Sequence, residues 1–297
     1  MYTAEIFALA AALCWSFGGL LATNPARLLG AVPFNRIRMA MVFVMLSLLA
    51  LLTGGWYSMT PNCGTILAAS ALIGIFIGDT CFYESMRRLG PRRTGILFAT
   101  NAPMTAILGY SLLDERLPTN TMIGCALIMT GVGLAVFFGA AARQRHAFEE
   151  VRGRLGIGIG FGLFAAFCQA ISLIIARPVL ASGVDAVSAS ALRVGTAALA
   201  LMALLLFRSR TVRSAAPLTP RLMGQVALSG LVGMGLGMTF LLHALAHGPA
   251  GLVSTLSATS PVLILPVLWV ATRERPALGA WIGAFLAVLG AACIFNS

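Results

Sequence analysis

Asp79 is the residue of this sequence with the clearest capacity for chemistry. It lies inside the apolar stretch 65–85, in a chain with only nine Asp and Glu residues. A carboxylate in such a stretch could bind a substrate ammonium group or exchange a proton. It could also form a structural ion pair with an arginine such as Arg38 or Arg193, or lie at a water-exposed mouth. These interpretations stay open at the level of sequence.

The helical neighbours of Asp79 indicate where its side chain points. Helical spacing places Phe82, Tyr83 and Met86 on the side of Asp79. A second face carries small residues that suit close packing against another helix: Gly74, Gly78, Cys81 and Ser85. We therefore expect Asp79 and Tyr83 to face an interior lined by aromatic side chains.

Other polar side chains within apolar stretches could contact the same ligand. Trp15, Asn101 and Gln169 could offer hydrogen bonds to a zwitterion, or they could simply join helices. Arg38 and Arg193 occupy equivalent places, which suits either snorkelling to headgroups or binding a substrate carboxylate. Arg193 lies deeper and is the better binding candidate of the two.

The remaining charged candidates lie near the ends of apolar stretches. Glu84 precedes Arg88 by four residues, the spacing of an ordinary intrahelical ion pair. Glu115 and Glu274 match each other at the ends of two stretches, beside Arg116 and Arg275 respectively. We expect both glutamates to form salt bridges at an interface or a gate.

Motifs for metal, cofactor or enzyme chemistry are weak. His243 and His247 have the spacing of two metal ligands, but no third ligand is evident, so we predict no metal site. The sequence has no phosphate-binding loop, so we expect neither a cofactor nor direct use of ATP. A nucleophile with its base is also not visible, which argues against an enzyme.

The composition is that of an integral membrane protein. Hydrophobic residues make up 59% and charged residues 10% of the 297 residues, whereas a soluble domain is about 25% charged. Residues 2–22 contain no Lys or Arg, so we expect a retained first helix and no cleaved signal peptide. Stretches long enough to cross a hydrocarbon core predict ten helices: 4–22, 34–53, 65–85, 94–113, 120–141, 156–178, 186–207, 223–245, 250–271 and 277–295.

The chain also repeats itself. Residues 99–107 and 114–117 are echoed by 258–264 and 273–275, at offsets near 158. This duplication predicts a first repeat over 1–142 with helices 1–5, a cytoplasmic connector over 143–154, and a second repeat over 155–297 with helices 6–10. Because five is odd, the two repeats must cross the membrane in opposite directions. At an offset of 158 the counterpart of Asp79 is Gly237, so the repeat itself does not require an acid there.

The arginines predict the orientation of the protein. The net charge of +11 comes from twenty arginines and no lysine. Seventeen arginines lie in or next to odd-numbered loops (helices 1–2, 3–4, 5–6, 7–8 and 9–10). We call that side the odd-loop face and the opposite side the even-loop face. Since positive charge marks cytoplasmic loops, the bias predicts a cytoplasmic odd-loop face and termini outside. Charge scattered along a membrane edge argues against a nucleic-acid partner.

The repeated motifs resemble those of the EamA-type branch of the drug/metabolite transporter superfamily. The resemblance spans the chain. It rests on a fourth helix that ends in Asp-Glu-Arg-Leu-Pro, on the Gly-rich helix after it, and on the matching segments of the second repeat. The matched positions are Pro103, Glu115, Gly124 and Gly131, with partners Pro261, Glu274, Gly283 and Gly290. It implies an all-α membrane protein of ten helices in two inverted repeats around a central cavity, usually with cytoplasmic termini.

The resemblance also implies a function. We expect a multi-pass secondary transporter of a bacterial inner membrane that exports amino acids or similar small metabolites by alternating access. A proton or the substrate gradient would drive it, and the protein would act as a monomer in the lipid bilayer. The alternatives are drug efflux, vitamin or nucleoside uptake, and a non-transporting membrane subunit such as a partner in flipping lipid-linked sugars.

Overall fold

The protein is a bundle of transmembrane helices. The structure, a computed structural model, describes residues 2–89, 91–138, 154–203, 217–263, 265–266 and 277–295. Within these residues, nine helices are long and apolar enough to cross a membrane, and Ala250–Leu263 forms a shorter apolar helix. The predicted all-α fold of ten spans is confirmed.

The helices are numbered by span, from α1 to α10. Spans α3 and α8 are α-helices interrupted by a π segment, and α4 is broken at one residue. The bounds are α1 Thr3–Leu29, α2 Ala31–Leu52, α3 Pro61–Ala71 with Leu72–Gly78 and Asp79–Leu89, α4 Pro91–Ala99 with Asn101–Leu113, α5 Thr119–Phe138, α6 Leu155–Ala181, α7 Ala186–Ala203, α8 Pro220–Gly230 with Leu231–Leu236 and Gly237–His247, α9 Ala250–Ser257 and its continuation, and α10 Leu278–Phe295.

The duplication read from the sequence is visible in local backbone structure. Helices α3 and α8 both begin with a threonine cap followed by proline: Thr60 accepts a hydrogen bond from the Cys63 amide, and Thr219 from the Leu222 amide. Such caps satisfy a free backbone donor at a helix start. Both helices then contain a π segment that begins 159 residues apart, at Leu72 and Leu231. Because π segments are rare and frequent at functional sites, α3 and α8 are the first helices to inspect for function.

The repeated Ala-Thr motifs mark helix breaks. Helix α4 is interrupted at Thr100, and α9 at residues 258–259. At each break a threonine hydroxyl donates to a carbonyl three residues earlier, from Thr100 to Leu97 at 2.6 Å and from Thr259 to Leu256 at 2.7 Å. These bonds satisfy carbonyls that the interrupted helix leaves free. Each half therefore contains a discontinuous helix at an equivalent place.

Equivalent helices of the two repeats pack against each other. The pairs are α2 with α7, α4 with α9 and α5 with α10, while α1 packs on α8 and α6 on α3. At the crossing of α5 and α10, Gly131 and Gly124 face Gly283 and Gly290, respectively. A Cβ atom at Gly131 would lie 2.6 Å from the Ala287 nitrogen and closer still to the Gly283 carbonyl oxygen. The four repeated glycines thus let the two backbones touch.

We expect Gly131→Ala to destabilise the protein by about 1–3 kcal/mol, the usual cost of overpacking a tight contact. The matched control is Gly133→Ala on the same helix, where a Cβ atom would have no neighbour within 4 Å. Thermal unfolding of both variants in detergent measures the difference. Equal melting temperatures for the two variants would contradict the close approach of α5 and α10.

Several sequence-based boundaries need correction. Helix α1 continues to Leu29 and contains Pro25, which we expected in a connection. Packing contacts also revise the repeat alignment: Gly78 faces Cys168 as Gly237 faces Cys14, an offset of 159 in place of 158. The counterpart of Asp79 is therefore the buried Met238 and not Gly237. Three sets of residues lie outside the described part of the chain: most of the predicted connector, Glu274, and the ends of three predicted stretches (120–141, 186–207 and 250–271).

Candidate functional site

Asp79 lies where the π segment of α3 returns to regular α-helix. Its backbone amide donates to the Ile75 and Phe76 carbonyls, a forked arrangement at the end of the π segment. Ten residues separate Asp79 from Leu89 at the odd-loop end of the helix, about 15 Å at the helical rise. The side chain is half-buried. Asp79 is therefore inside the bundle, in the half nearer the odd-loop face.

Arg38 of α2 faces Asp79 and Tyr83. Its positive charge acts on both the Asp79 carboxylate and the Tyr83 phenol. One guanidinium nitrogen donates to Asn35 Oδ1 at 2.7 Å, while Arg38 Nε is buried without a partner. None of the ion pairs within 4 Å among the described residues includes Arg38 or Asp79. The two charges thus face each other without direct contact and retain capacity for a ligand.

Aromatic residues follow Asp79 along α3. The ring of Phe82 contacts those of Tyr83 and of Phe98 on α4, with centroid distances of 5.6 and 4.9 Å. The placement of Phe82, Tyr83 and Met86 on the side of Asp79 stays a prediction, and the contact of Phe82 with Phe98 brings α4 against this part of α3. A carboxylate, a guanidinium, a phenol and apolar rings are the groups that an amphiphilic zwitterion would need.

Arg193 lies elsewhere, in a buried cluster with two serines. It is fully buried, and its two terminal nitrogens donate to Ser70 of α3 and to Ser172 of α6, the latter at 3.0 Å. The serines also bond to each other's backbone carbonyls, at 2.7 and 2.9 Å. Enclosed in this way, Arg193 joins three helices and does not share the site of Asp79.

The polar candidates Asn101, Trp15 and Gln169 are also spread between helices. Asn101 is buried at the α4 break, where it donates to the Phe98 carbonyl at 2.6 Å and accepts from Ser254 of α9 at 2.8 Å. The Trp15 indole lies against Gly237, and the Gln169 side chain lies beside Gly74 of the π segment. Ser16, next to Trp15, donates to the Ser260 carbonyl at 2.8 Å. These contacts connect the repeats, and none of them reaches Asp79.

Glu115 bridges three helices near the even-loop face. Asp114 ends α4 in the left-handed region, with φ 52°, and the chain turns so that the Glu115 amide donates to the Gly109 carbonyl at 3.1 Å. The Glu115 carboxylate accepts from Arg177 of α6 at 3.2 Å and from the Ala250 amide at the start of α9 at 2.7 Å. Arg116, adjacent to Glu115 in sequence, lies 3.7 Å from Asp114, and its side chain is 80% exposed.

We expect Glu115→Gln to lower the free energy of unfolding by about 1–3 kcal/mol, because it weakens a largely buried ion pair and a helix cap. Asp114→Asn is the matched control, since an exposed pair contributes at most about 1 kcal/mol. Thermal unfolding in detergent distinguishes the two. A Glu115→Gln protein as stable as the control would contradict a bridging role for Glu115.

Glu84 and Arg88 form the intrahelical ion pair that their spacing indicates. Arg88 Nε donates to Glu84 at 2.7 Å, and the Arg88 guanidinium lies 5.6 Å from the centre of the Phe161 ring on α6. Both side chains are partly buried near the odd-loop end of α3. This pair neutralises charge beside the membrane edge and stands one to two turns beyond the Asp79 site.

A separate cavity of about 470 Å³ opens at the even-loop end of α6, α7 and α8. Asp185, His243 and His247 contribute its titratable side chains, and the two histidine rings lie 4.5 Å apart. The His247 ring bonds the His243 carbonyl at 2.8 Å. Across the described parts of the chain, no three His, Cys, Asp or Glu side chains are arranged to hold a metal ion.

Sequence reasoning did not identify Ser70 and Ser172 as partners of Arg193. These residues lie 123 and 21 positions away from Arg193, so linear spacing gives no sign of the contact. One signal was available: Ser70 and Ser229 match at the offset of 159 that relates the two π segments. A hydroxyl kept in both copies between small and apolar neighbours indicates a buried polar partner.

Comparison with known proteins agrees with this architecture. The model of the EamA-like transporter family matches residues 2–137 and 156–296, one match for each repeat. One solved structure, described only as the crystal structure of a protein, has a TM-score of 0.78 and 21% sequence identity. The alignment covers 99% of this chain and 96% of that one. At this identity the likeness concerns the fold.

Two relatives are named as transporters of unknown specificity. The uncharacterized transporter YetK of Bacillus subtilis (strain 168) is 27% identical over 131 residues, 43% of this chain and 40% of YetK. An uncharacterized transporter of Archaeoglobus fulgidus is 22% identical over 170 residues, 57% of this chain and 56% of the relative. The matches thus span about half the length of these relatives.

Proposed function

The chain belongs to the EamA-like transporter family, and from this premise we propose that it is a secondary transporter for a small zwitterionic metabolite such as an amino acid. It is a multi-pass membrane transporter, and its substrate, direction and mechanism are matters of proposal. We propose that it works as a monomer by alternating access between the two inverted repeats, with Asp79, Arg38 and Tyr83 as the substrate site.

The observation that carries this proposal is that Asp79 and Arg38, two opposite charges inside the bundle, form no ion pair with each other. A carboxylate and a guanidinium inside a membrane bundle are costly, and such groups serve function or pair with each other. Here they face each other without an ion pair within 4 Å. A zwitterion bound between them would place its ammonium group on Asp79 and its carboxylate on Arg38. A purely cationic drug would leave the arginine unmatched, so the site favours the amino acid.

The inverted repeats support alternating access. Equivalent helices pair around the bundle, and each repeat contributes one helix with a π segment and one broken helix. In secondary transporters, discontinuous helices at corresponding positions of two inverted halves accompany the binding site, and one half rocks against the other. Coupling to protons would use the Asp79 carboxylate, which can carry a proton when no ammonium group is bound.

We further propose export across a bacterial inner membrane, with the odd-loop face in the cytoplasm. The arginine bias supports this orientation. The Asp79 site also lies in the half of the bundle nearer the odd-loop face, where it could load substrate from the cytoplasm. Cells that express the chain should then tolerate toxic amino-acid analogues better than cells that express Asp79→Asn. Equal tolerance of the two strains, at equal expression, would contradict export of these compounds.

The orientation has its own test. We expect a fluorescent protein fused after Ser297 to be dark and a periplasmic phosphatase fused there to be active, because seventeen arginines hold the odd-loop face in the cytoplasm. Fusions after Leu52, at the even-loop end of α2, should behave in the same way. A bright fluorescent protein with an inactive phosphatase would reverse the orientation and the direction of transport.

A further inference from the structure

Arg193 is a buried cation without an acidic partner. Its side chain is fully buried, and both of its hydrogen-bond partners are neutral serine hydroxyls. Arg193 Nε is buried with no partner. No ion pair in the described part of the chain includes Arg193. Because a guanidinium stays protonated in proteins, this cluster holds a net positive charge away from water.

Such a cluster is a costly way to hold helices together permanently. Removing a charge from water is costly, and a carboxylate partner or an apolar residue would hold the helices together at lower cost. If the cluster opened, water would hydrate the guanidinium and its unpaired Nε, which offsets the lost hydrogen bonds. The closed and open forms are thus closer in free energy than for a fully paired salt bridge. This balance suits a contact that forms and breaks during function.

The cluster also holds the two repeats together. Ser70 belongs to the first repeat, whereas Ser172 and Arg193 belong to the second. Ser70 and Ser172 exchange hydrogen bonds through their hydroxyl and carbonyl groups, so α3 is held against α6 at this level. Nine residues separate Ser70 from Pro61, so the cluster lies about 13.5 Å from the start of α3 at the even-loop end. It therefore lies in the half of the bundle opposite to that of Asp79.

The equivalent place in the other half lacks these hydrogen bonds, although Ser229 there is fully buried and Gly18 packs against Gly233. Repeat symmetry relates Arg193 to Arg38, Ser70 to Ser229 and Ser172 to Gly18, as the contacts of Gly74 with Ser172 and of Gly233 with Gly18 indicate. Arg38 is only half-buried, and the Ser229 hydroxyl bonds within its own helix, to Val226 at 2.9 Å. Gly18 has no side chain to offer. Of these two equivalent places, the one nearer the even-loop face carries the hydrogen-bonded cluster and the one nearer the odd-loop face does not.

We propose that Arg193, Ser70 and Ser172 form the gate that closes the even-loop side of the transport path. The gate is closed in this structure, and Asp79 lies nearer the odd-loop face than the gate does. It opens, with hydration of Arg193, when the site faces the other compartment. This inference rests on the proposed alternating-access function, and it makes Arg193 a gating residue where the sequence suggested a substrate ligand.

The test uses two single-cysteine reporters in a variant that lacks the six native cysteines and retains transport. Gln169→Cys lies one turn beyond Ser172 as seen from the even-loop face, so a reagent from that side reaches it only through an open gate. Met86→Cys lies seven residues beyond Asp79 toward the odd-loop face. A membrane-impermeant maleimide is applied to right-side-out and inside-out membrane vesicles, and the labelling rate of each reporter is measured.

Ser172→Ala should open the gate. Losing hydrogen bonds to a charged group should shift the equilibrium between the closed and the open gate by about 10-fold or more. We expect the labelling rate of the residue-169 reporter from the even-loop face to rise about 10-fold, and that of the residue-86 reporter from the odd-loop face to fall. Ser70→Ala removes the other partner of Arg193 and should act in the same direction. If one of the two variants does not fold, the other decides the result.

Ser190→Ala is the matched control. Ser190 is fully buried on α7, three residues before Arg193, and its hydroxyl has no partner. Its removal should leave both labelling rates unchanged. Unchanged labelling in Ser172→Ala and Ser70→Ala, or an equal rise at both reporters, would overturn the gate. Transport that survives Asp79→Asn would instead overturn the proposed substrate site while a shift in labelling still supported the gate.

Discussion

Asp79→Asn protein should insert and fold as well as the wild type, yet lose transport. Asparagine keeps the shape of the side chain and removes a charge that is costly inside a membrane bundle. It also removes the group that would hold a substrate ammonium or a proton. The loss of a charge-assisted hydrogen bond lowers binding by about 10- to 100-fold, and the loss of coupling should bring net transport to background. Purified protein in liposomes, with radiolabelled substrate, measures this effect.

Glu84→Gln is the control for Asp79→Asn. It removes the same charge from the same helix, one to two turns away, where Glu84 is paired with Arg88 at 2.7 Å. Transport by this variant should stay within about twofold of the wild type, because a partly exposed helical pair contributes little. If Glu84→Gln and Asp79→Asn lose transport equally, net charge on α3 and not the Asp79 site is responsible.

Arg38→Gln should weaken the transport of an amino acid but not of its methyl ester. A general loss of stability would weaken both. Glutamine retains hydrogen-bonding capacity but no charge for the substrate carboxylate. We expect the KM for an amino acid to rise about 10- to 100-fold, the value of a hydrogen bond to a charged group. The KM for its methyl ester, which has no carboxylate, should change little. Competition between the two compounds in liposomes measures the ratio directly.

Two variants complete the Arg38 experiment. Arg38→Lys keeps the charge but loses the guanidinium fork, so it should fall between wild type and Arg38→Gln. Arg221→Gln removes an exposed arginine near the same face and should change neither KM. An equal loss for the amino acid and its ester in Arg38→Gln would show that Arg38 supports the fold instead of binding the carboxylate. Such support would come from its hydrogen bond to Asn35 and from the Phe34 ring, whose centre lies 5.1 Å from the guanidinium.

Much of the fold could be predicted from the sequence because it depends on local and periodic features. Spans follow from the length of apolar stretches, and inversion follows from an odd number of helices in each repeat. The pairing of Glu84 with Arg88 follows from helical spacing. The glycines repeated at 124, 131, 283 and 290 in the sequence are the ones that meet at the α5–α10 crossing. Membership of the EamA-like family confirms the resemblance that these motifs carried.

The rest depends on tertiary contacts that spacing does not encode. Arg193 had the sequence features of a ligand residue, yet two serines on other helices enclose it. Glu115 bonds Arg177, 62 residues away, in preference to the adjacent Arg116, because the left-handed turn at Asp114 directs it inward. The π segments of α3 and α8 shift the register by one residue, which changes which side of the helix meets a neighbour. The domain boundaries and the roles of the site residues stay predictions.

Substrate counterflow in liposomes tests the central claim most directly. Liposomes that contain wild-type protein are loaded with an unlabelled amino acid and diluted into a trace of the same labelled compound, for a panel of amino acids and their methyl esters. The site of Asp79 and Arg38 predicts transient accumulation of label for at least one amino acid, weaker accumulation for its ester, and none with Asp79→Asn. Accumulation that is equal in wild type and Asp79→Asn, or absent for every zwitterion of the panel, would contradict the account.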